Sequence, residues 1–354
     1  MEAGSTYRAV QAVSRGRLEL TEKTLQAPEP GKVRIRVEAC GVCHSDSGTV
    51  EALFPIDWPR VPGHELVGRI DALGSGVQGW VVGQRVGVGF LGGSCGYCEF
   101  CREGDLVTCR NQEYTGIHHD GGYAEVMIAK ASGLMSIPDS LSSVDAAPLL
   151  CAGLTTFSAL RNAPAKAGDL VAVLGIGGLG HLGVQYARHM GSRSRRLRVA
   201  RTRRNWRRSS APTTTSTTRL PALQELGGAK VILITASGGK TVAATFQGLR
   251  PGGVSIVLGV GPEPIQVSSM DLIFGSRTLA GALTGDPATG DATLRFSALT
   301  GVAAMIETAP LEGAADAYAK MMAGKARFRM VLTMNPGAAS PPQTPKPKTR
   351  KSAR

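Results

Sequence analysis

Short apolar runs dominate the first 150 residues of the chain. Val33–Val37 alternates valine and isoleucine with arginine, and Arg85–Val88 is a second run of this kind. Alternation with a period of two residues predicts half-buried β-strands, and the glycines between the runs favour turns. This part of the chain is therefore predicted to be an all-β unit.

From about residue 170 the pattern changes to buried strands that alternate with helices. Leu170–Leu174 is continuously apolar, and a glycine turn and the amphipathic stretch His181–His189 follow it. Val231–Ala236 and Val254–Val260 are further apolar runs typical of buried parallel strands. Buried strands that alternate with helices favour a doubly wound α/β sheet.

The end of the chain divides into a structured and an unstructured part. Leu311–Ala323 is predicted to be a helix, and Met330–Met334 a short strand. Proline, serine and lysine dominate from residue 336 to residue 354. This composition predicts a disordered, basic tail.

Length and composition favour a two-domain protein in the cytoplasm. A chain of 354 residues with 42% hydrophobic residues can bury a substantial core and divides naturally into two domains. It contains no run of 18 apolar residues, so no membrane association is expected. Its first 16 residues lack the apolar core of a signal peptide.

The net charge of +13 first suggests a nucleic-acid partner, but its distribution argues against one. Ten arginines fall within residues 192–222 and five basic residues within 336–354, and neither segment contains an acidic residue. Together these segments carry +15, which leaves −2 on the rest of the chain. The basic residues do not form a designed binding face, so we expect no nucleic-acid partner.

Four of the seven cysteines are close together in the sequence. Their spacing is C-x2-C-x2-C-x7-C, with the thiols at Cys95, Cys98, Cys101 and Cys109. Four thiolates on one short lobe can close a tetrahedron around Zn²⁺ and leave no open position, which predicts a structural zinc site. An iron–sulfur cluster is the alternative, because C-x2-C-x2-C also occurs in ferredoxins.

A glycine-rich loop follows the strand predicted at residues 170–174. It reads G-x-G-x-x-G, with the loop residues Gly175, Gly177, Gly178, Leu179 and Gly180. In such loops the first glycine turns the chain, the second admits a pyrophosphate and the third lets helix and strand pack closely. A strand before the loop and a helix after it predict binding of NAD or NADP at the helix N-terminus.

Two further motifs supply a second set of metal ligands. Residues 41–46 read Gly-Val-Cys-His-Ser-Asp, residues 63–65 read Gly-His-Glu, and Cys151 lies in Leu-Cys-Ala-Gly. Together these motifs resemble the catalytic zinc site of medium-chain alcohol dehydrogenases, with Cys43, His64 and Cys151 as ligands. Two thiolates and one imidazole leave one position on zinc for the oxygen of an alcohol, whose pKa the metal lowers.

The resemblance also implies roles for the neighbouring residues. Ser45 relays the alcohol proton, Asp46 accepts a hydrogen bond from the non-coordinating nitrogen of His64, and Glu65 is a second-shell or exchange ligand. His44 faces the cofactor pyrophosphate. The family's relay histidine is replaced here by Gly48, so His44, water or the cofactor ribose must carry the proton onward. Cys40 is not a ligand by the motif register.

The same resemblance extends to the cofactor and to the domain organisation. Thr155 resembles a cofactor-contacting position, and Arg329 resembles a late arginine that binds the pyrophosphate. The implied fold is a GroES-like β-barrel catalytic domain at residues 1–152 and 293–335, with a Rossmann dinucleotide-binding domain at 153–292. The implied protein is a homodimer or homotetramer with two Zn²⁺ per chain.

The resemblance implies reversible hydride transfer between a small alcohol and NAD or NADP. Three alternatives remain: a polyol dehydrogenase or a formaldehyde-type dehydrogenase of the same superfamily, and a non-catalytic remnant with an impaired cofactor site. An alcohol panel separates the enzymes, and cofactor binding identifies a remnant.

Residues 192–222 do not fit the expected fold. Arg193, Arg195, Arg196 and Arg198 cannot all lie in a central parallel strand, so we predict an exposed or irregular segment. Reading the codons of residues 209–217 one nucleotide early permits Leu-Gly-Ala-His-His-Tyr-Ile-Asp, which suggests a frameshift with a compensating second shift by residue 223. A genuine basic insertion is the alternative. An arginine such as Arg198 or Arg201 near the ribose would favour NADP.

Overall fold

The computed structural model describes residues 4–197, 217–218 and 220–334. The strands are β1 (Thr6–Ser14), β2 (Arg17–Thr24), β3 (Lys32–Val42), β4 (Leu66–Leu73), β5 (Arg85–Val88), β6 (Val126–Lys130), β7 (Leu134–Ser136), β8 (Leu170–Leu174), β9 (Arg193–Leu197), β10 (Thr217–Thr218), β11 (Ala229–Ile234), β12 (Leu249–Val257), β13 (Thr278–Gly281), β14 (Ile306–Pro310) and β15 (Arg329–Thr333). The helices are α1 (Ser47–Val50), α2 (Glu99–Arg102), α3 (Ser143–Ala146), α4 (Ala152–Arg161), α5 (Gly180–His189), α6 (Leu220–Glu225), α7 (Gly239–Thr245), α8 (Ser269–Ile273), α9 (Pro287–Thr300) and α10 (Ala314–Met322).

The first and last parts of the chain share one β-sheet. Its strand order is β14-β15-β3-β4-β5-β7, and β6 pairs with β3 as well. Strand β15 pairs antiparallel with β3, so the last strands of the chain join the sheet that the first part of the chain forms. Strand β3 has only one exposed residue, Arg36, and is otherwise buried or half-buried. The predicted all-β unit is therefore present and is completed by residues 306–333.

The middle of the chain forms a six-stranded parallel sheet. Its order is β10-β9-β8-β11-β12-β13, the 3-2-1-4-5-6 order of the Rossmann fold. All five residues of β8 are buried, and burial of each Leu or Val side chain contributes about 1.5–3 kcal/mol. Helix α5 follows β8 directly and ends at His189. This confirms the strand, glycine turn and helix that the sequence predicts.

The prediction for the start of the arginine-rich segment is wrong. Residues 193–197 form strand β9, which pairs in parallel with β8. Backbone pairing with β8 on one side and with the two-residue β10 on the other does not depend on the side chains, so arginine can occupy this strand. Arg193 is exposed and its Nε donates to Gly168 O at 2.9 Å, whereas Ser194 is buried. Residues 198–216, on which the cofactor-preference and frameshift hypotheses depend, lie outside the described residues, as does the tail from residue 335.

One helix boundary differs from the predicted one. The predicted helix at 311–323 begins with a 3₁₀ turn at Leu311–Gly313, and only residues 314–322 are α-helical. Helix α9 runs without a break across the boundary expected between residues 292 and 293. No single helix in the described part of the chain is long and apolar enough to cross a membrane, although the bent pair Ser143–Leu150 and Ala152–Arg161 meets those criteria jointly.

Candidate active site

Three segments from distant parts of the sequence meet at one buried point. Cys43 follows the last residue of β3, and His64 and Glu65 precede β4. These two strands are antiparallel, and Gly41 N donates to Glu65 O at 2.9 Å, so the ends of both strands are adjacent. Cys151 lies at the N-terminus of α4. Cys43, His64 and Cys151 are 3%, 1% and 9% exposed.

The ligand atoms of this group are spaced for a single metal ion. One ligand atom each from Cys43, His64, Glu65 and Cys151 lies within 4.8 Å of the others. The two sulfurs are 3.9 Å apart, and a tetrahedral zinc with Zn–S bonds near 2.3 Å separates two sulfurs by about 3.8 Å. Among the described residues, the buried His64 Nε2 has no hydrogen-bond partner. A buried nitrogen without a partner is costly unless it binds a ligand, so the donor set fits zinc.

Asp46 fixes the orientation of the His64 ring. Its Oδ1 lies 2.8 Å from His64 Nδ1. Its Oδ2 accepts from Cys43 N at 2.9 Å and from the hydroxyl of Tyr123 at 2.8 Å. These two donors satisfy Oδ2 of a carboxylate that is 2% exposed, and Oδ1 faces the His64 ring. Tyr123 was not predicted from the sequence, because it is separated from Asp46 by 77 residues and belongs to no recognised motif.

Removing the Tyr123 hydroxyl is expected to loosen the metal site without unfolding the protein. Tyr123→Phe keeps the buried ring but removes one donor to Asp46. Weakening a group that orients a metal ligand costs about 10–100-fold in metal affinity. We therefore expect Tyr123→Phe to lose one zinc to a chelator at least about 10-fold faster than the unmodified protein. Tyr114→Phe is the matched control, because no hydrogen bond to Asp46 involves Tyr114. Equal zinc loss from both variants would contradict this role.

The electrostatic environment favours a thiolate at Cys43. A hydrogen bond from the Cys151 thiol lowers the pKa of Cys43, and His64 and Arg329 add to this effect against the cost of burial. Burial alone would lower the pKa of His64, but Asp46 and Cys43 reverse the direction and raise it. Burial also raises the pKa of Glu65 to about 8, although Arg329 opposes the rise. A thiolate is the form in which cysteine binds a metal.

Arg329 connects the metal-ligand group to the glycine loop. It is 4% exposed, and its Nη2 donates to Glu65 Oε1. On its other side, a methyl group placed on Gly178 would lie 2.7 Å from Arg329 Nη1. The guanidinium therefore lies between Glu65 and the loop predicted to bind pyrophosphate.

The glycine loop leaves β8 and enters α5. Gly175 has φ +87°, a left-handed conformation that favours glycine. A Cβ on Gly180 would lie 1.8 Å from Gly175 O, so helix and strand pack at a distance that only glycine permits. A Cβ on Gly177 would have no atom within 4 Å, so space is open in front of the loop. An open space at a helix N-terminus fits the pyrophosphate of a dinucleotide.

The other residues singled out from the sequence are distributed around these two groups. His44 and Ser45 are exposed in the turn that follows Cys43. Thr155 is buried in α4, where its hydroxyl donates to that of Thr284 at 3.2 Å. Gly48, in place of the family's relay histidine, lies in α1. Cys40 is buried but lies outside the group of metal-ligand candidates among the described residues.

An aromatic wall adjoins His64 and was not predicted. The Phe90 ring lies edge-on to His64, with centroids 5.1 Å apart. Tyr114 stacks on Phe90 at 4.9 Å. Phe90 is only partly buried, so it presents apolar surface beside the metal ligands.

The four-cysteine lobe forms a separate, closed group. One Sγ from each of Cys95, Cys98, Cys101 and Cys109 lies within 4.8 Å of the other three. The Cys98–Cys109 and Cys95–Cys101 pairs are both 4.0 Å apart, close to the edge of a tetrahedron around one zinc. All four are free thiols. An iron–sulfur cluster places several iron and sulfide atoms between the thiolates and needs a wider arrangement, so the geometry favours a single ion.

The fold and the two thiol-rich groups define a zinc-binding dehydrogenase with a dinucleotide domain. Residues 29–139 match the family model described as "Alcohol dehydrogenase GroES-like domain". Residues 178–299 match the model described as "Zinc-binding dehydrogenase". The two matches fall on the shared β-sheet and on the parallel sheet, respectively.

Individual relatives are similar over most of the chain. The alcohol dehydrogenase patD of Penicillium expansum is 37% identical over 335 residues, covering 93% of this chain and 98% of the relative. An alcohol dehydrogenase of Geobacillus stearothermophilus is 35% identical, covering 86% and 93%. The structure of a cinnamyl alcohol dehydrogenase from Sorghum bicolor has a TM-score of 0.82 at 27% identity, covering 93% and 98%.

The chain belongs to the zinc-dependent medium-chain alcohol dehydrogenase family. It is thus an oxidoreductase that acts on alcohols with zinc and NAD(P), in the α/β fold that the sequence predicts.

Proposed function

We propose that the protein reversibly oxidises simple primary alcohols to aldehydes at a zinc ion held by Cys43, His64 and Cys151. The observation that carries this proposal is the convergence of two buried sulfurs and an unpartnered imidazole nitrogen within 4.8 Å. Zinc bound there supplies Lewis acidity to the alcohol oxygen and lowers the pKa of its hydroxyl. Glu65 completes the group and takes the role of a second-shell or exchange ligand.

The neighbouring side chains orient the ligands and move the proton. Asp46 holds His64 through Nδ1, which leaves Nε2 free to bind the metal. The Ser45 hydroxyl, exposed two residues after Cys43, accepts the alcohol proton. Because residue 48 is glycine, His44 or water carries this proton on to solvent.

NAD or NADP is proposed to lie along the glycine loop. The loop residues Gly175, Gly177, Gly178, Leu179 and Gly180 bring the α5 N-terminus to the pyrophosphate. Arg329, beside Gly178, contributes a positive charge to the same phosphates. Thr155 and His44 contact the cofactor between the loop and the metal. A dinucleotide held there would supply the acceptor for the hydride.

The four-cysteine group is proposed to hold a structural zinc. The two domains are proposed to meet at the active site. We place the catalytic domain at 1–152 and 293–335 and the cofactor domain at 153–292, which puts Cys43 and Cys151 near their junction. Seven free thiols support a cytoplasmic location.

We also propose a homodimer or homotetramer. Support comes from the edge strand β13 and from nearby apolar side chains such as Ile273 and Phe274, which are 70% and 80% exposed. A monomeric mass in sedimentation equilibrium would contradict this assembly.

The function is tested by activity and metal analysis on the same purified sample. We expect two zinc ions per chain by elemental analysis and the formation of NADH or NADPH at 340 nm with short primary alcohols. The panel includes polyols and formaldehyde. If the protein reacts faster with either of these than with simple alcohols, the faster-reacting compounds are its substrate class. Two bound zinc ions without dinucleotide binding would contradict the proposed cofactor site.

A further inference from the structure

His181 lies between the glycine loop and the segment that leads to β14. It is the second residue of α5 and is 5% exposed, with its ring stacked on Phe328 at 4.9 Å. Met305 N donates to its Nε2 at 3.2 Å. Because a backbone N–H can only donate, Nε2 accepts and the ring proton resides on Nδ1. Nδ1 lies 2.9 Å from Gly177 O, to which it donates.

Met305 extends this contact to the arginine on the other side of the loop. Its carbonyl oxygen accepts from Arg329 N at 3.0 Å. Arg329 in turn reaches back to the loop through Nη1, which adjoins Gly178. A chain of contacts therefore runs from Gly177 through His181 and Met305 to Arg329. It ends at Gly178, the residue that follows Gly177 in the loop.

We propose that His181 is a positioning residue for the dinucleotide pyrophosphate. Its ring holds the glycine loop at a fixed separation from Arg329, so that the loop amides and the guanidinium converge on the same phosphates. If the loop moves relative to Arg329, the loop amides and the guanidinium no longer reach the same phosphates. Small displacements of this kind weaken binding of the pyrophosphate. This inference rests on the proposed function of the glycine loop and Arg329.

Gln185 offers a matched control one helical turn further along α5. Its Nε2 donates to Ala303 O at 3.0 Å, and Ala303 N donates to its Oε1 at 3.3 Å. Gln185 therefore fastens α5 to the same segment as His181 does. Its Nε2 also donates to the backbone oxygen of His181 at 3.0 Å, but none of its hydrogen bonds in the described structure reaches Gly177. Loss of Gln185 weakens the attachment of the segment and leaves the hydrogen bond to the loop in place.

The experiment measures dissociation constants in His181→Phe, His181→Asn and Gln185→Ala. The probes are NADH and NADPH, followed by nicotinamide fluorescence, and ADP-ribose, which has the pyrophosphate but no nicotinamide and is followed by competition. Phenylalanine keeps the burial and the stacking but removes both hydrogen bonds. We expect His181→Phe to weaken binding of all three probes about 10-fold, with zinc content unchanged.

The remaining variants separate positioning from general stability. Asparagine places an amide donor near the position of Nδ1, so His181→Asn is expected to recover most of the affinity. Gln185→Ala is expected to bind the probes with dissociation constants within about 2-fold of those of the unmodified chain. Saturating cofactor is expected to restore kcat in His181→Phe. Unchanged affinity in His181→Phe, or equal losses in His181→Phe and Gln185→Ala, would overturn the inference. Failure of the unmodified chain to bind any probe would instead contradict the proposed function itself.

Discussion

Replacing Cys43 by alanine is expected to abolish alcohol oxidation while leaving the fold in place. The variant removes one of two thiolates from a site with three proposed ligands, and the alcohol then loses the Lewis acid that lowers its pKa. Loss of several kcal/mol of transition-state stabilisation corresponds to a fall in kcat/KM on the order of 10³-fold or more. Initial rates and elemental analysis measure this, and we expect one zinc per chain to remain.

Cys40→Ala is the matched control for this change. Cys40 is also a fully buried thiol on β3, three residues before Cys43, but it lies outside the group of ligand candidates in the described structure. Its substitution is expected to cost stability through a small cavity and to leave both zinc ions bound. Equal loss of zinc and activity from both variants would contradict the assignment of Cys43 as a ligand.

Cys98→Ala is expected to act on stability first. A closed four-thiolate site takes no part in the reaction, but metal binding there contributes to folding free energy. The melting temperature should therefore fall more in Cys98→Ala than in Cys43→Ala. If both variants lost activity at an unchanged melting temperature, the division into a structural and a catalytic site would be wrong.

The parts of this fold that the sequence predicts are those where one physical requirement controls consecutive residues. Strand β8 is buried on both faces and is therefore apolar at every position, so its bounds at Leu170 and Leu174 follow from the pattern. The glycine loop is similar, because the turn and the close packing each require glycine at a fixed spacing. The cysteine lobe is compact in sequence because its turns are short.

Contacts between distant segments were not predictable from any single stretch of sequence. Tyr123 reaches Asp46 across 77 residues, and His181 meets Met305 across 124. Each pair depends on how the sheets and helices pack, and neither residue type indicates its partner. The strand β9 was missed for a different reason: its arginines suggested exposure, but backbone pairing near the edge of the sheet does not require apolar side chains.

Alanine substitutions in the glycine loop are expected to separate cofactor binding from folding. A methyl group on Gly177 would have no neighbour within 4 Å, so Gly177→Ala should leave the melting temperature nearly unchanged. The same methyl group projects into the open space where the pyrophosphate must approach the backbone closely. We expect dinucleotide affinity to fall by a factor on the order of 10², or about 2.7 kcal/mol, measured by titration calorimetry with NAD and NADP.

Gly180→Ala is the converse case, because its methyl group would meet the protein rather than the ligand. Its Cβ would lie 1.8 Å from the carbonyl oxygen of Gly175. Neither atom can rotate away, because the oxygen is part of the backbone and the backbone fixes the position of the Cβ. Helix α5 must then move from β8, which costs about 1–3 kcal/mol of unfolding free energy and lowers the melting temperature. Both variants are expected to retain two zinc ions, because no proposed zinc ligand belongs to the loop. If Gly177→Ala bound NAD and NADP as tightly as the unmodified chain, the pyrophosphate would have to lie elsewhere, and the roles proposed for Arg329 and the loop would be wrong.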